Sequence, residues 1–329
     1  MSDPTIRDVA RRARVSVASV SRVLNGHDNV SEATRARVAD AVRALSFVPH
    51  AGARSLSLAR NNAIGVVLPD LHGEFFSEIV RGMDREASRH GFLLLLSNLH
   101  AGSAQAASAL RAMRGRVDGL VVMAPHLRGE ELCAALPAGL PAVLVNTRST
   151  ASDCAAIHID NAAGARSVIE HFAALGRKRL IHISGPANNI DSRERAVACR
   201  AAAGEFGLSL EVVPGDFEEE SGRAAVEELI AHGREFDAVF AANDNMAIGA
   251  IEALRQAGVR IPDDVAVAGF DDIPLARHLG LTTVKVQIAE LGERALAMLL
   301  EVLGGGEPVE EKRAPELVVR STTQVARDP

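Results

Sequence analysis

The spacing of apolar residues divides the chain into two parts. Between residues 5 and 45, apolar residues recur at helical spacing in three short segments. From residue 61 onward, short continuous apolar runs alternate with longer helical patterns. Such alternation is typical of buried parallel strands connected by helices. The pattern predicts a small all-α head followed by a larger α/β body.

The head is predicted to hold three helices. Thr5 is a candidate N-cap with Asp8 as its reciprocal partner, and Ser16 is a candidate N-cap for the second helix. The second helix turns Val20, Val23 and Leu24 inward. The third begins at Ser31 and turns Ala33, Val38, Ala41, Val42 and Leu45 inward. Two helices joined by a tight turn, then a packing helix, follow the helix-turn-helix plan.

The body is predicted to contain two lobes. Its length of about 270 residues is more than one doubly wound sheet usually needs. A long helix over 288–303 is followed by a return strand over 316–320, so we expect the chain to cross between lobes more than once. The apolar runs predicted as buried parallel strands are 63–68, 92–96, 119–123, 142–145, 180–183, 238–242 and 265–269.

Charge is distributed unevenly between the two parts. Residues 1–60 carry ten of the 36 Lys and Arg and five of the 42 Asp and Glu, so the remainder carries 26 and 37. A basic head on an acidic body indicates a nucleic-acid-binding module joined to a second domain.

Several other classes are excluded by missing signals. No apolar run reaches the ~18–20 residues of a membrane-spanning helix, and no signal-peptide core is present. The three cysteines, Cys133, Cys154 and Cys199, form no Cys-x-x-Cys pair, which favours a reducing compartment and no zinc site. No nucleotide-binding or nucleophile-elbow motif is found. His158 and Asp160 could imitate a metal pair, but we interpret them as a strand residue and a helix N-cap.

The outward face of the second helix carries the chemistry of the head. Val17, Ala18, Ser21 and Arg22 follow directly after the turn. In a major groove, thymine methyl groups accept apolar contacts and guanine accepts a bidentate arginine. This face therefore predicts base reading that depends strongly on Arg22.

The sequence here closely resembles the lactose/galactose-repressor family of bacterial transcription regulators. The resemblance is carried by 5–25, 30–31, 34–35, 46–49 and 53–56, and it continues through nearly all of the chain. It implies DNA contacts from Thr5, Ser16, Val17, Ala18, Ser21, Arg22, Asn25, Ala53, Arg54 and Leu56. Arg14 departs from the Gly or Asn usual in the turn, and a left-handed conformation there would cost roughly 1 kcal/mol more than for Gly.

A short segment after the head is predicted to act as a hinge. By itself, 49–60 is too short to be a stable helix in water. The resemblance implies that it becomes a helix in the minor groove, where Leu56 wedges between base pairs and kinks the duplex. Coupled folding of this segment would let a distant ligand control DNA affinity.

Polar and aromatic residues follow the predicted strands of the body. Ligands of open α/β sheets bind beyond the carboxyl ends of strands. Amides, an arginine and an aspartate supply paired donors and acceptors, and phenylalanines supply apolar faces, as polyol recognition requires. The candidates are Phe75, Phe76, Asn146, Arg195, Phe217, Asn243 and Asp271.

The family resemblance assigns roles to these positions. Arg195 matches an arginine that grips effector oxygens, and Asp271 matches an aspartate that anchors hydroxyls or a ring nitrogen. Asn146 stands where relatives often have Asp, Phe217 where an aromatic residue covers the ligand, and Asn243 at another polar contact. Asn189 and Asp191 occupy positions that differ with the effector, and 283–287 lacks the usual Gln-Pro. A sugar or sugar derivative is favoured.

The predicted fold is an N-terminal all-α helix-turn-helix head plus an α/β two-lobed body resembling periplasmic binding proteins. The head covers 1–48, the hinge 49–60 and the body 61–329. Lobe 1 takes 61–158 and 289–315, and lobe 2 takes 159–288 and 316–329.

The predicted function is a cytoplasmic, nucleoid-associated transcription regulator, a repressor rather than an enzyme. It would bind a palindromic double-stranded DNA operator as a homodimer or tetramer, switched by a small-molecule effector, with no cofactor, metal, catalytic residue or membrane contact. One alternative is a sugar-modifying enzyme fused to a DNA-binding head, which turnover of a bound sugar would reveal. Another is a ligand-independent DNA-binding protein, which would give a flat thermal-shift screen.

Overall fold

The computed structural model describes residues 4–24, 29–47, 61–99, 103–127, 129–147 and 154–324. The chain forms two compact units, Met1–Asn61 and Asn62–Pro329. The predicted hinge, 49–60, lies outside the described residues. The predicted boundaries of head and lobes stay predictions.

The described part of the first unit is a three-helix bundle. The helices are α1 (Ile6–Ala13), α2 (Val17–Leu24) and α3 (Glu32–Leu45). Its core contains Val9, Ala10, Ala13, Val20, Val38, Ala41 and Phe47. The expectation that Ala33 points inward is wrong, since Ala33 is exposed. It lies about 140° around the helix from Val38, at roughly 100° per residue.

Local capping shapes these helices, and the predicted reciprocal pair of Thr5 and Asp8 is present. The carboxylate of Asp8 accepts hydrogen bonds from the Thr5 backbone N–H at 3.0 Å and from the Thr5 hydroxyl at 2.7 Å. Arg14 ends α1 in the left-handed conformation with φ 52°, so the turn uses this geometry without a glycine. The Ser31 side chain accepts from Thr34 N–H at the start of α3.

The second unit contains two six-stranded sheets. The first has the order β11-β5-β4-β3-β1-β2 and the second β12-β10-β9-β8-β6-β7. All pairings are parallel except that of β12 with β10. The strands of the first sheet, called lobe 1 below, are β1 (Ala63–Leu68), β2 (Leu93–Asn98), β3 (Gly119–Met123), β4 (Ala142–Val145), β5 (Ala155–Ile159) and β11 (Glu310–Arg313). Those of the second, lobe 2, are β6 (Arg179–Ile183), β7 (Ser209–Val213), β8 (Ala238–Ala241), β9 (Ala266–Asp271), β10 (Thr282–Lys285) and β12 (Glu316–Val318).

Helices connect these strands. The long predicted helix is present as α12 (Ile288–Leu303), and its close approach to α4 (Glu74–Arg89) needs glycine, because a Cβ on Gly82 would lie 1.8 Å from the Ala289 carbonyl oxygen. This contact holds α12 on lobe 1 after the chain leaves β10. The helices are α4 (Glu74–Arg89), α5 (Ser103–Met113), α6 (Gly129–Ala135), α7 (Asn161–Ala174), α8 (Ile190–Glu205), α9 (Glu219–Ala231), α10 (Asp244–Gln256), α11 (Pro274–His278) and α12 (Ile288–Leu303). None of the helices in the described ranges is long and apolar enough to span a membrane.

The chain passes between the two sheets three times. The crossings follow β5, β10 and β11. His158 lies on β5 and Asp160 is the N-cap of α7, accepting from Ala163 N–H, so their interpretation as strand and cap residues is confirmed.

One predicted strand has a different environment from the one expected. The run at 92–96 was predicted as a buried strand, but β2 is the edge of its sheet. Leu93 is 71% exposed, Leu96 46% and Leu95 38%. The periodicity of an apolar run cannot show whether a second layer covers it. An apolar sheet edge is consequently exposed in the single chain.

Candidate functional site

A cavity of about 200 Å³ lies between the lobes at the carboxyl ends of their strands. The structure brings all of the predicted effector residues to this one cavity. Those residues are Phe75, Phe76, Asn146, Asn189, Asp191, Arg195, Phe217, Asn243 and Asp271. The lining also includes residues that were not predicted, namely Pro69, Asp70, His72, Gly73, Met123, Pro125, Asp216, Glu218 and Asn245.

The apolar faces of the cavity come from both lobes. Phe75 and Phe76 begin α4 in lobe 1, and their rings meet edge to face with centroids 5.3 Å apart. Phe217 comes from lobe 2 in a left-handed conformation, φ 77°. Its carbonyl accepts from the Asn243 side-chain amide at 2.8 Å. The ring lies over Gly185, where a Cβ would come within 2.3 Å of it.

Arg195 is the buried cation of the site, at 4% exposure. Its Nε donates to Asn161 Oδ1 at 2.8 Å, and one terminal nitrogen donates to the carbonyl of Ala242. The guanidinium carbon lies 3.6 Å from the centroid of the Phe270 ring. A terminal nitrogen is 3.8 Å from the Asp271 carboxylate. These contacts fix the plane of the guanidinium and leave other N–H groups for a ligand.

Asp191 stands in the first turn of α8. Its Oδ1 accepts from the Asn161 amide at 2.7 Å, and the Asn146 amide is near enough to lower its pKa as well. Burial raises its pKa, and Arg195 and these amides oppose that shift. Asn189 caps the same helix, because its Oδ1 accepts from Asp191 N–H and Ser192 N–H. Asn189, which was predicted as an effector contact, therefore also stabilises the N-terminus of α8.

Asp271 ends β9 with φ 115°, a conformation that side-chain-bearing residues rarely adopt. Burial raises the pKa of its carboxyl to about 7; the Arg195 guanidinium lowers this pKa and the Asp191 carboxylate raises it. A carboxyl group of this kind changes charge near neutral pH, inside a cavity that is suited to a ligand.

A second buried carboxylate supports this turn. The two oxygens of Asp244 accept from Ile273 N–H at 2.9 Å and from the Thr283 hydroxyl. Burial, followed by the charge of Asp271, raises the pKa of Asp244 well above its usual value. Asn243 is also largely engaged within the protein, since its Oδ1 accepts from Met246 N–H and its Nδ2 donates to Phe217.

Hydrogen bonds join the lobes on either side of the cavity. Ile190 N–H, at the start of α8, donates to the carbonyl of Pro125 in lobe 1 at 2.9 Å. Leu275 N–H, at the start of α11, donates to the Glu74 carboxylate of lobe 1 at 2.9 Å. A ligand in the cavity would act on an arrangement of lobes that already has direct contacts.

Sequence reasoning missed Asn161. This side chain is 2% exposed and bonds both Arg195 and Asp191. It follows the carboxyl end of β5, so the rule that found the other residues also applied to it. It was overlooked because the segment was interpreted only as a strand end and a helix cap.

The predicted DNA-reading residues lie in the first unit. Val17 is 42% exposed on the first turn of α2, and Ala18 and Arg22 are also exposed, while Ser21 is half-buried. Ser16 caps α2, accepting from Ser19 N–H at 3.1 Å, and Thr5 begins α1. Asn25, Ala53, Arg54 and Leu56 lie outside the described residues. Within the described ranges, no group of three His, Cys, Asp or Glu is placed to hold a metal ion.

Comparisons with known proteins match both parts of the chain. Residues 5–50 match the bacterial regulatory proteins of the lacI family, and residues 169–323 match a periplasmic binding protein-like domain. The ribose operon repressor of Escherichia coli (strain K12) is 35% identical over 304 residues, which cover 90% of this chain and 92% of the relative. The HTH-type transcriptional repressor CytR of the same strain is 30% identical over 328 residues, covering 97% and 96%.

Solved structures give the same result. A Lac repressor dimer bound to operator and the anti-inducer ONPF has a TM-score of 0.89 and 28% sequence identity, covering 98% of this chain and 100% of that one. The predicted fold class, a helix-turn-helix head with a two-lobed α/β body, is confirmed by these matches.

The raised pKa of Asp271 predicts a pH-dependent effect on stability. The folded state holds this proton more tightly than the unfolded state, whose carboxyl has a pKa of about 4. The contribution of Asp271 to stability therefore falls as pH rises from about 4 to about 7. Asp271→Asn removes this loss. The free energy of unfolding of the variant, relative to that of wild type, should therefore increase by on the order of 2 kcal/mol as pH rises from about 5 to about 8. Urea unfolding at several pH values measures the difference.

The control for this experiment is Asp84→Asn, on an exposed position of α4. It reports what the loss of a carboxylate does away from the cavity. A difference between Asp271→Asn and wild type that stayed constant with pH would contradict the assignment.

Proposed function

The chain belongs to the lacI family of bacterial regulatory proteins and is a transcriptional repressor, and we propose that a monosaccharide in the interlobe cavity controls its binding to a palindromic operator. The observation that carries this proposal is the cavity itself. It combines a buried arginine, two buried aspartates and three phenylalanine rings from two lobes. Its relatives are repressors and not enzymes, so the alternative of a sugar-modifying enzyme is set aside.

The size of the cavity favours a small ligand. Drug-sized ligands occupy pockets of about 300–1,000 Å³, and this cavity is about 200 Å³. Arg195 can donate to ring or hydroxyl oxygens, and Asp191 and Asp271 can accept from hydroxyl groups. The phenylalanine rings can cover the apolar C–H face of a sugar.

The charge of the cavity favours a neutral ligand. Asp191 and Asp271 oppose one buried guanidinium, and further carboxylates lie at the lining, in Asp70, Asp216 and Glu218. A sugar phosphate would bring more negative charge into this surrounding, at an energetic cost. The similarity to a ribose operon repressor makes D-ribose the first candidate.

The effector would act by favouring one arrangement of the lobes. Phe75 and Phe76 belong to lobe 1, whereas Arg195 and Asp271 belong to lobe 2. A ligand that touches all four binds an arrangement that brings them together better than one that separates them, and only such differential affinity shifts the equilibrium.

We assign base reading to one face of α2, formed by Val17, Ala18, Ser21 and Arg22; Ser21 is half-buried and the other three are exposed. Thr5 and Ser16 stand at helix N-termini, where hydroxyl and N–H groups suit phosphate contacts. Asn25, Ala53, Arg54 and the Leu56 wedge remain part of the proposal and lie outside the described residues. Because its target is chromosomal DNA, we place the protein in the cytoplasm.

The exposed edge of lobe 1 supports a dimer. Leu93, Leu95 and Leu96 are exposed on an edge strand of the first sheet. Such an edge is normally covered by another chain or blocked by charge. A palindromic operator needs two heads, so a second copy of this chain is the natural partner.

The first prediction from this proposal concerns effector control. Arg195→Ala should leave buried ligand oxygens unpaired and weaken D-ribose binding by about 1–3 kcal/mol. Operator affinity without sugar should persist, because the head is unchanged. Calorimetry with D-ribose and D-ribose 5-phosphate, and operator binding with and without sugar, measure these effects. The control is Arg200→Ala, an exposed arginine on the same helix. An Arg195→Ala protein that responds to the sugar at wild-type concentrations would place the effector elsewhere.

The second prediction concerns base reading. Arg22→Ala should cost roughly 1–3 kcal/mol at one base pair of each half-site. Binding to a library of operator variants measures this, with exposed Arg12→Ala on α1 as the control. Equal loss on operator and random DNA would reassign Arg22 to a phosphate contact.

The third prediction concerns the dimer. Leu93→Lys combined with Leu95→Lys places two charges on the edge of β2, which edge strands use to prevent pairing. Sedimentation at micromolar concentration should show monomers, and operator affinity should fall. Leu175→Lys, on a residue 36% exposed at the end of α7, is the control. A double variant that stays dimeric would exclude this edge as the interface.

A further inference from the structure

We propose that Asn161 is the positioning residue of the effector site, because its side chain bonds both Arg195 and Asp191 and it stands where the chain crosses between lobes. This inference rests on the proposed effector cavity and names the residue that keeps its charged groups in place. Asn161 itself does not line the cavity.

The contacts of Asn161 define one orientation of its amide. Oδ1 accepts from Arg195 Nε at 2.8 Å. Nδ2 donates to Asp191 Oδ1 at 2.7 Å and to Glu194 Oε2 at 3.1 Å. The amide oxygen faces a cation and the amide nitrogen faces two carboxylates. In the opposite orientation the oxygen would face the carboxylates and the N–H groups would face the guanidinium. At 2% exposure, the Asn161 side chain is shielded from bulk water, so its partners lie within the protein.

No other side chain of similar size meets these demands. Aspartate would add a carboxylate beside Asp191 and Glu194, and it would have no hydrogen to donate to them. Alanine or leucine would leave both the Arg195 Nε–H and the Asp191 carboxylate without this partner. An unpaired charged group in the interior is costly, so the neighbours would turn away or admit water.

The bond to Nε has a particular effect on Arg195. The Phe270 ring contacts one face of the guanidinium, and the Ala242 carbonyl holds one terminal nitrogen. Without Asn161 the guanidinium can rotate about its stem within these limits. The bond from Asn161, with the Asp271 carboxylate 3.8 Å from a terminal nitrogen, therefore selects the rotation that directs the remaining N–H groups.

The position of Asn161 connects Arg195 and Asp191 to the segment in which the chain passes from lobe 1 to lobe 2. It is the first residue of α7 and follows β5 of lobe 1 by two positions. On the lobe 1 side, Asn146 Oδ1 accepts from Ile159 N–H at 3.1 Å, and Lys312 of β11 pairs with Asp160 at 2.7 Å. The crossing is thus held to lobe 1 by Asn146 and Lys312 and to the charged groups of lobe 2 by Asn161.

The first test needs no ligand. In nuclear magnetic resonance of the uniformly labelled full-length protein, the buried Arg195 Nε–H should give a signal protected from solvent exchange, which Arg195→Lys identifies by its loss. Asn161→Ala should accelerate exchange of this hydrogen roughly tenfold or more. Asn161→Ser, whose hydroxyl is too short to reach both partners, should do the same if the alanine variant folds poorly. Ser167→Ala, which removes a hydrogen bond to Gly164 on the same helix, is the control and should leave the signal unchanged.

The second test asks whether Asn161 acts through Arg195. D-ribose binding is measured by calorimetry in wild type, Asn161→Ala, Arg195→Lys and the double variant. Asn161→Ala should weaken binding roughly 10- to 100-fold in the wild-type background. It should have a clearly smaller effect in the Arg195→Lys background, since lysine lacks the Nε–H that Asn161 holds and only the bond to Asp191 is left to lose. A residue that only supports the fold would weaken binding equally in both backgrounds.

These outcomes separate the two proposals. If wild type does not bind D-ribose, the proposed effector is wrong, and the exchange measurement still tests Asn161. A missing protected signal in wild type, or its survival in both Asn161 variants, overturns the positioning role. Equal losses in the two backgrounds overturn it as well, even if D-ribose proves to be the effector.

Discussion

Burial of the Arg195 guanidinium is the constraint around which the body is arranged. Taking an ion out of water costs several kcal/mol unless it is paired and hydrogen-bonded. Here the partners are a carboxylate, a carbonyl, an aromatic ring and an amide. They come from β9, from the residue after β8 and from the start of α7. Stabilising one charge therefore requires three segments to meet beside the cavity.

The backbone around the cavity is strained in a consistent way. Asn146, Phe217 and Asp271 all have positive φ, at 46°, 77° and 115°. Each such residue costs on the order of 1–3 kcal/mol and persists only where its surroundings hold it. Hydrogen bonds do so here, from Asn146 to the backbone around β5 and from Asn243 to Phe217. Strain at three points of one lining is typical of a site shaped for a ligand rather than for stability.

The residues of the cavity could be predicted because each follows an apolar run that ends at the same edge of a parallel sheet. That reasoning is local, and it found side chains that lie far apart in sequence, such as Phe75 and Asp271. The same reasoning could not show which of these side chains are free to contact a ligand and which are engaged within the protein. Asn243 and Asn189 line the cavity, yet both cap helices. Asn161 contacts two buried charged groups of the site and was overlooked, because its importance depends on partners 30 and 34 positions away.

Local sequence patterns account for the helical head, the caps at Thr5 and Ser16 and the long helix α12. These features depend on neighbouring residues, through helical periodicity and side-chain bonds to nearby backbone. The charged segment Glu310–Arg313 has no apolar pattern and is a strand because it pairs with β5, a segment distant in sequence. The tertiary structure also left the leucines of β2 on an open edge and raised the pKa of Asp271. Strand pairing and burial are set by which distant segments meet, and no local pattern records that.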